Sequence, residues 1–218
     1  MTEQIWLESS DLIAMMRFVS DRSSERKLRL LLVAMARHVW DLIPVGELRD
    51  AVIAAEQHAD DLAPITLVDE YRHRCYGWAT TRASAEQTAF FDSPTTNPIF
   101  TLARMTVYSA KMLRTLSQNN SNWGAQATRF STSTLSLMRD IFGNPFRLVA
   151  FAPEWRTDTA LVLARQMYEA REFSAAPILA DALQDAGCDS DDILNHLRDT
   201  TATHVRGCWA LDLVLGKE

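Results

Sequence analysis

Apolar residues recur at steps of three and four along nearly the whole chain, and no long stretch alternates as a half-buried strand would. The pattern predicts helices. The strongest lies in "SSERKLRLLLVAMARHVWDLI", where Leu28, Leu31, Leu32, Met35 and Val39 share a stripe. Ser24 is placed to cap it, Glu25 stands in the first turn where the helix dipole favours an anion, and Pro44 ends it. The next segment, "VGELRDAVIAAEQHADDLA", carries Leu48, Val52, Ala55 and Ala59 on one face. The short connection predicts an antiparallel hairpin. An earlier helix, capped by Ser9 or Ser10, runs to about Phe18.

Residues 64–91 read as one or two helices, and 92–98 as a loop with Asn97 capping and Pro98 at the first helical position. A helix with Ile99, Leu102, Thr106, Leu113 and Leu116 in a stripe follows, then a polar turn at 117–124. Trp123, Ala127, Phe130, Thr134, Leu137 and Ile141 face one way on the next helix. The last third reads as short helices. Thr157 or Asp158 caps one that buries Leu163 and Met167; Ile178, Leu179, Ala182, Leu183 and Ala186 line another that stops at Gly187; Ser190 caps a third. From Cys208 to Leu215 the chain is apolar nearly all round, which predicts burial.

The stretch "RDIFGNPFRLV" breaks the helical pattern. Gly143 suits the left-handed residue that ends a helix at Phe142, and Asn144, standing before Pro145, is pushed out of the α region. Phe142, Gly143, Asn144, Pro145, Phe146 and Arg147 therefore form a structural corner. Phe142 and Phe146 are expected to bury on its two sides, Asn144 to cap backbone groups, and "RLVAFAPEW" to lie extended across the helices. Arg147 is expected to clamp a carboxylate of the last helices, among Asp181, Asp185, Asp189, Asp191 and Asp192.

Composition changes this picture only by exclusion. The 218 residues are 47% apolar and 23% charged, as in globular proteins, and at this length burial alone can stabilise the fold. A net charge of −6 gives no overall basic footprint for nucleic acid, and the local group Arg22, Arg26, Lys27 and Arg29 reads as a solvated helix face. The longest apolar run, residues 30–36, is far shorter than the roughly 20 residues that span a bilayer. Residues 1–12 carry neither the basic nor the apolar region of a secretory signal. Three cysteines argue against a disulfide framework and for a reducing cytoplasm.

The segments "LRDIFGNPFR", "FSAAPILADALQDAGCDSDDILNHLR" and "HVRGCWALDLVLGKE" closely resemble, in this order, an uncharacterised helical domain family expanded in planctomycete bacteria. "ERKLRLLLVAMARHVWDLI" resembles the same family's amino-terminal helix; where the family often has paired cysteines, this chain has Val33, Ala34 and Met35. The resemblance covers roughly residues 5–60 and 137–218 and implies no activity. "PILADALQDAGCDSDDIL" is also similar to short helical segments that accompany bacterial repeat proteins, which implies an interaction role.

Cys188, His196, His204 and Cys208 are all zinc-ligand types, spaced C-x7-H-x7-H-x3-C without the tight pair of a zinc finger. The competing reading is a buried cysteine at a helix end with capping histidines. Cys208, His204 and Asp212, at i, i+4 and i+8, match a nucleophile, base and orienter, but the apolar surroundings do not favour a thiolate and no strand-to-helix elbow precedes them. Glu56, His58, Asp60 and Asp61 lack a partnering ligand helix and read as a solvated acidic face. "YRHRCYGW", 71–78, reads as arginines packed over an aromatic face. Phosphate-binding glycine patterns, GxSxG and HExxH are absent.

The sequence thus predicts an all-α multi-helix bundle, 1–141, with a group of short helices, 142–218, packed on it as one cooperative unit. The function it favours is a cytoplasmic protein-interaction or scaffold module without a catalytic site or cofactor. The alternative is a zinc- or thiol-dependent protein centred on Cys188, His196, His204 and Cys208.

Overall fold

A computed structural model describes residues 1–38, 40–43, 46–71, 74 and 123–217. Among them there is no strand, and the fold is all-α. The helices predicted between 75 and 122, with the Asn97 cap and most of "YRHRCYGW", lie outside the described residues. No helix among the described residues is long and apolar enough to cross a membrane.

Two compact units emerge, Met1–Lys27 with Thr128–Glu218, and Leu28–Ala127. The boundary expected at 141/142 falls inside the first, because the amino-terminal residues pack on the corner that follows residue 142.

In the first unit, α1 (Glu3–Glu8) is capped by Thr2 and α2 (Leu12–Ser20) by Asp11, whose carboxylate accepts the Ala14 N–H. The serines proposed as caps stand just outside: Ser9 is the C-cap of α1, and its hydroxyl accepts the Asp11 N–H. α3 (Glu25–His38) begins here, with Ser24 Oγ accepting the Lys27 N–H as expected. α5 (Trp123–Phe142) ends on Gly143 at φ +61. An irregular stretch follows to a 3-10 turn at Pro153–Trp155. Val149, Phe151 and Trp155 from this stretch pack on the core.

Four short helices complete the unit: α6 (Asp158–Ala170, capped by Thr157), α7 (Ala176–Asp185), α8 (Asp191–Arg198, with Ser190 at the N-cap) and α9 (Trp209–Leu215). α7 packs on α6 and α8, and α9 on α6 and α8. Their core joins Met167, Leu179, Leu183, Ile193, Leu197, Leu211 and Val214, so the predicted burial of α9 holds. On α7 the face is rotated from the prediction: Ala176, Leu179, Ala180 and Leu183 are buried while Ile178 is 59% exposed. Ala180, small enough to admit a neighbouring helix, takes the inward position in place of the larger Ile178.

The second unit centres on Val33, Ala36, Ile43, Val52, Ala54, Ala55 and Val68, with Trp40, Leu48, Leu67 and Tyr71 packed on them. It contains most of α3, a 3-10 turn at Trp40–Leu42, α4 (Glu47–Ala59) and a helical stretch at 65–71. Every α3 residue from Leu28 to Ala36 is buried, more than one stripe allows. Glu56 is not on a solvated acidic face. It is 1% exposed, and its carboxylate accepts Arg37 Nε at 3.1 Å and Arg37 Nη2 at 2.5 Å. The guanidiniums of Arg37 and Arg49 cover the Trp40 ring at 4.9 and 5.0 Å, and Arg49 also donates to the Trp40 and Ile43 carbonyls.

Candidate metal centre

Three of the four residues singled out from the sequence converge in the first unit. His196 comes from α8, His204 from the loop after it, and Cys208 from the N-cap of α9. The fourth donor is Asp140, in the last turn of α5. Cys188 is not in this group; it is buried in the α6–α9 core after α7.

The local chain explains the convergence. His204 and Cys208 are not on one helical face, as an i, i+4 pair suggests, but on either side of a tight turn. The Cys208 N–H donates to the Val205 carbonyl at 2.9 Å. Gly207, at φ +90, takes the turn conformation that disfavours a side chain. The turn folds the thiol back to 3.8 Å from His204 Nδ1. Asp140 is fixed from both ends: one oxygen accepts the Val205 N–H at 2.9 Å, the other lies 3.0 Å from His204 Nδ1 and 3.2 Å from His196 Nε2. His196 Nε2 stands 3.3 Å from Cys208 Sγ. The two imidazoles meet edge-on at 4.9 Å, and the Trp209 indole flanks His196 at 5.0 Å.

One donor atom from each residue, two nitrogens, a sulfur and an oxygen, lies within 4.8 Å of every other. A tetrahedral zinc ion with bonds of 2.0–2.3 Å sets its ligand atoms about 3.3–3.8 Å apart. Four of the separations, 3.0, 3.2, 3.3 and 3.8 Å, fall at or close to that spacing.

The same atoms are tied to one another by hydrogen bonds. Burial alone pushes the Asp140 carboxyl up, but hydrogen bonds from His196 and His204, and the charge they can carry, outweigh it and hold the group below its ordinary range. Burial, reinforced by the Asp140 carboxylate, pushes the Cys208 thiol well above its ordinary value. Without a cation this sulfur is a neutral thiol, a poor nucleophile. A divalent ion reverses that balance, since a coordinating thiol loses its proton. Two anions and two neutral imidazoles then cancel the ion's charge in a pocket where Asp140 is 3% and Cys208 0% exposed.

The nucleophilic arrangement proposed for Cys208, His204 and Asp212 is not formed. Asp212 pairs with Arg26 and Lys27 at 2.7 and 2.6 Å, and the carboxylate facing His204 is that of Asp140. Those two cations are accordingly not on a solvated face; Arg26 also donates to the Tyr168 hydroxyl at 2.8 Å, and Arg29 is buried. Asp140 leaves one trace in the sequence: it is an acid three residues after Leu137 and one before Ile141, on the helix face carrying the core.

No family model, curated protein or solved structure matches this chain.

Proposed function

We propose that this chain is a helical module whose first compact unit is organised by a structural zinc ion bound to Asp140, His196, His204 and Cys208. The observation that carries the reading is the mutual approach of four complementary donor atoms, within 4.8 Å, from segments up to 68 residues apart in sequence. Four protein donors complete a tetrahedral shell and leave no position for substrate, which distinguishes a structural from a catalytic site. The ion closes α5 onto the α8–α9 loop, and the thiols of Cys188 and Cys208, both free, suit a reducing cytoplasm.

The test is metal analysis of protein purified without chelator, by plasma mass spectrometry. About one equivalent of zinc per chain is expected, falling to background in Asp140→Asn and Cys208→Ser. Wild-type protein that stays metal-free after equimolar zinc is added and excess removed sinks the reading.

A second reading, attachment of this module to another protein, is favoured by the full exposure of Leu148 in the irregular stretch and the outward turn of Ile178 on α7. Affinity capture with Leu148→Asp and Ile178→Asp as controls tests it: a specific protein should be lost from both variants, and capture that neither substitution changes removes the reading.

A further inference from the structure

Lys27 lies outside the ring of donor atoms but touches the chain on both sides of it. Its ammonium sits 3.0 Å from the Ile141 carbonyl, 2.8 Å from the Gly207 carbonyl and 2.6 Å from Asp212 Oδ2. Ile141 follows Asp140 in sequence, and Gly207 precedes Cys208. One ammonium therefore joins the peptide beside the first donor to the peptide beside the last.

The geometry is saturated: an ammonium has three protons, and three acceptors surround it. Its side chain is 15% exposed, so little water competes for those protons. Arg26 binds both oxygens of Asp212, at 2.7 and 3.2 Å, and so holds the carboxylate that anchors Lys27. The Ile141 carbonyl is at the negative end of α5, where a cation is favoured.

Resting on the zinc reading above, we propose that Lys27 is a positioning residue of the metal centre. It sets the separation of Asp140 from Cys208, and it couples zinc binding to docking of residues 1–27. The coupling is reciprocal by thermodynamic necessity. Anything that draws the amino-terminal segment away weakens zinc, and loss of zinc loosens the segment.

Zinc affinity of the full chain, measured by competition with a chromophoric chelator, tests this in wild type, Lys27→Met and Trp6→Phe. Groups that orient metal ligands typically alter affinity about 10–100-fold, and Lys27→Met is expected to weaken zinc by at least about 10-fold. Trp6→Phe weakens another contact of the amino-terminal segment without touching the peptides at Asp140 or Cys208; it should lower the melting temperature and, as long as the segment stays docked, change affinity by less than about 3-fold. The visible spectrum of the cobalt-substituted protein should lose intensity and shift in Lys27→Met alone, since it reports geometry at the ion. Equal zinc affinity in wild type and Lys27→Met overturns the proposal while leaving the zinc reading intact. A wild type that binds no zinc removes both.

Should Lys27→Met fail to fold, hydrogen exchange in the wild type decides. Removing zinc should strip protection from residues 3–20, alone or with the rest of the unit. Full protection there in zinc-free protein refutes the coupling.

Discussion

The indole of Trp6 donates its Nε1 proton to the carbonyl of Gly143 at 2.9 Å, across 137 residues of sequence. Trp6 is wholly buried, and this bond is what the break in helical pattern at 142–147 is built to receive. Arg139 donates to the carbonyls of Trp6 and Ser9, and Asn144 and Arg147 both reach Glu3 Oε1, at 2.7 and 2.5 Å. Phe146 stacks on Phe18 at 5.2 Å but stays partly exposed, and Phe142 is half-buried. The corner is a dock for the amino-terminal helices. The clamp from Arg147 to the acids of α7 and α8 is not made: Arg147 pairs with Glu3, and Asp181 with Arg198. Asn144 does cap the corner, accepting the Phe146 N–H.

Gly143→Ala should destabilise the first unit by about 1–3 kcal/mol. The position is held at φ +61, and a β-carbon there would stand 3.0 Å from Trp209 Cγ. The indole cannot retreat freely, because its other neighbour is the His196 ring. Chemical denaturation of the full chain measures the loss; an unchanged midpoint would mean the corner relaxes without cost.

Glu3 gives a pH dependence of definite sign. The hydrogen bond from Asn144, with the bond and charge of Arg147, outweighs desolvation and holds its carboxyl below the ordinary value. A group depressed in the folded state stabilises above its unfolded pKa, and that contribution is lost as pH falls through the folded one. Protection of α1 amides from exchange should therefore drop as acid is added below the ordinary carboxylate range. In Glu3→Gln the drop should be absent.

Much of the fold was legible because local chemistry and tertiary packing agree. Ser24 and Thr157 begin helices as their hydroxyls dictate, Gly143 ends one because a residue without a β-carbon tolerates positive φ, and the apolar run after Cys208 is buried. Where pattern and structure differ, a long-range partner decides the outcome. Arg26, Lys27 and Glu56 carry charges that pattern alone assigns to water, yet each meets an opposite charge brought from elsewhere. The candidate site was three-quarters legible, because cysteine and histidine announce their chemistry by type. Aspartate does not, since most aspartates are solvated, and only the packing of α5 against the α8–α9 loop distinguishes Asp140.

The Arg37–Glu56 pair in the second unit predicts an asymmetry. Arg37→Met should cost about 1–3 kcal/mol, because it takes a two-point donor away from a buried carboxylate. Removing both charges with Arg37→Met and Glu56→Leu should cost markedly less than the sum of the single changes. A double-mutant cycle by urea denaturation measures the difference; strict additivity would show that the pair is not coupled.

Cys188 and Cys208, the buried cysteines among the described residues, provide the sharpest separation of chemistry from packing. Both are small, apolar in behaviour and excluded from water, and burial raises both thiols. Only Cys208 has imidazole nitrogens and a carboxylate about its sulfur. Cys188→Ser places a hydroxyl in an apolar core and should cost about 1–2 kcal/mol with zinc content unchanged. Cys208→Ser should do more, because a structural zinc site contributes on the order of 10 kcal/mol of apparent binding energy and one missing ligand forfeits much of it. Adding excess zinc should raise the melting temperature of Cys188→Ser as it does that of wild type, and leave Cys208→Ser nearly unmoved. If the two serine variants respond to zinc alike, the cluster at Asp140 does not hold the ion, and Cys208 is a core residue like Cys188.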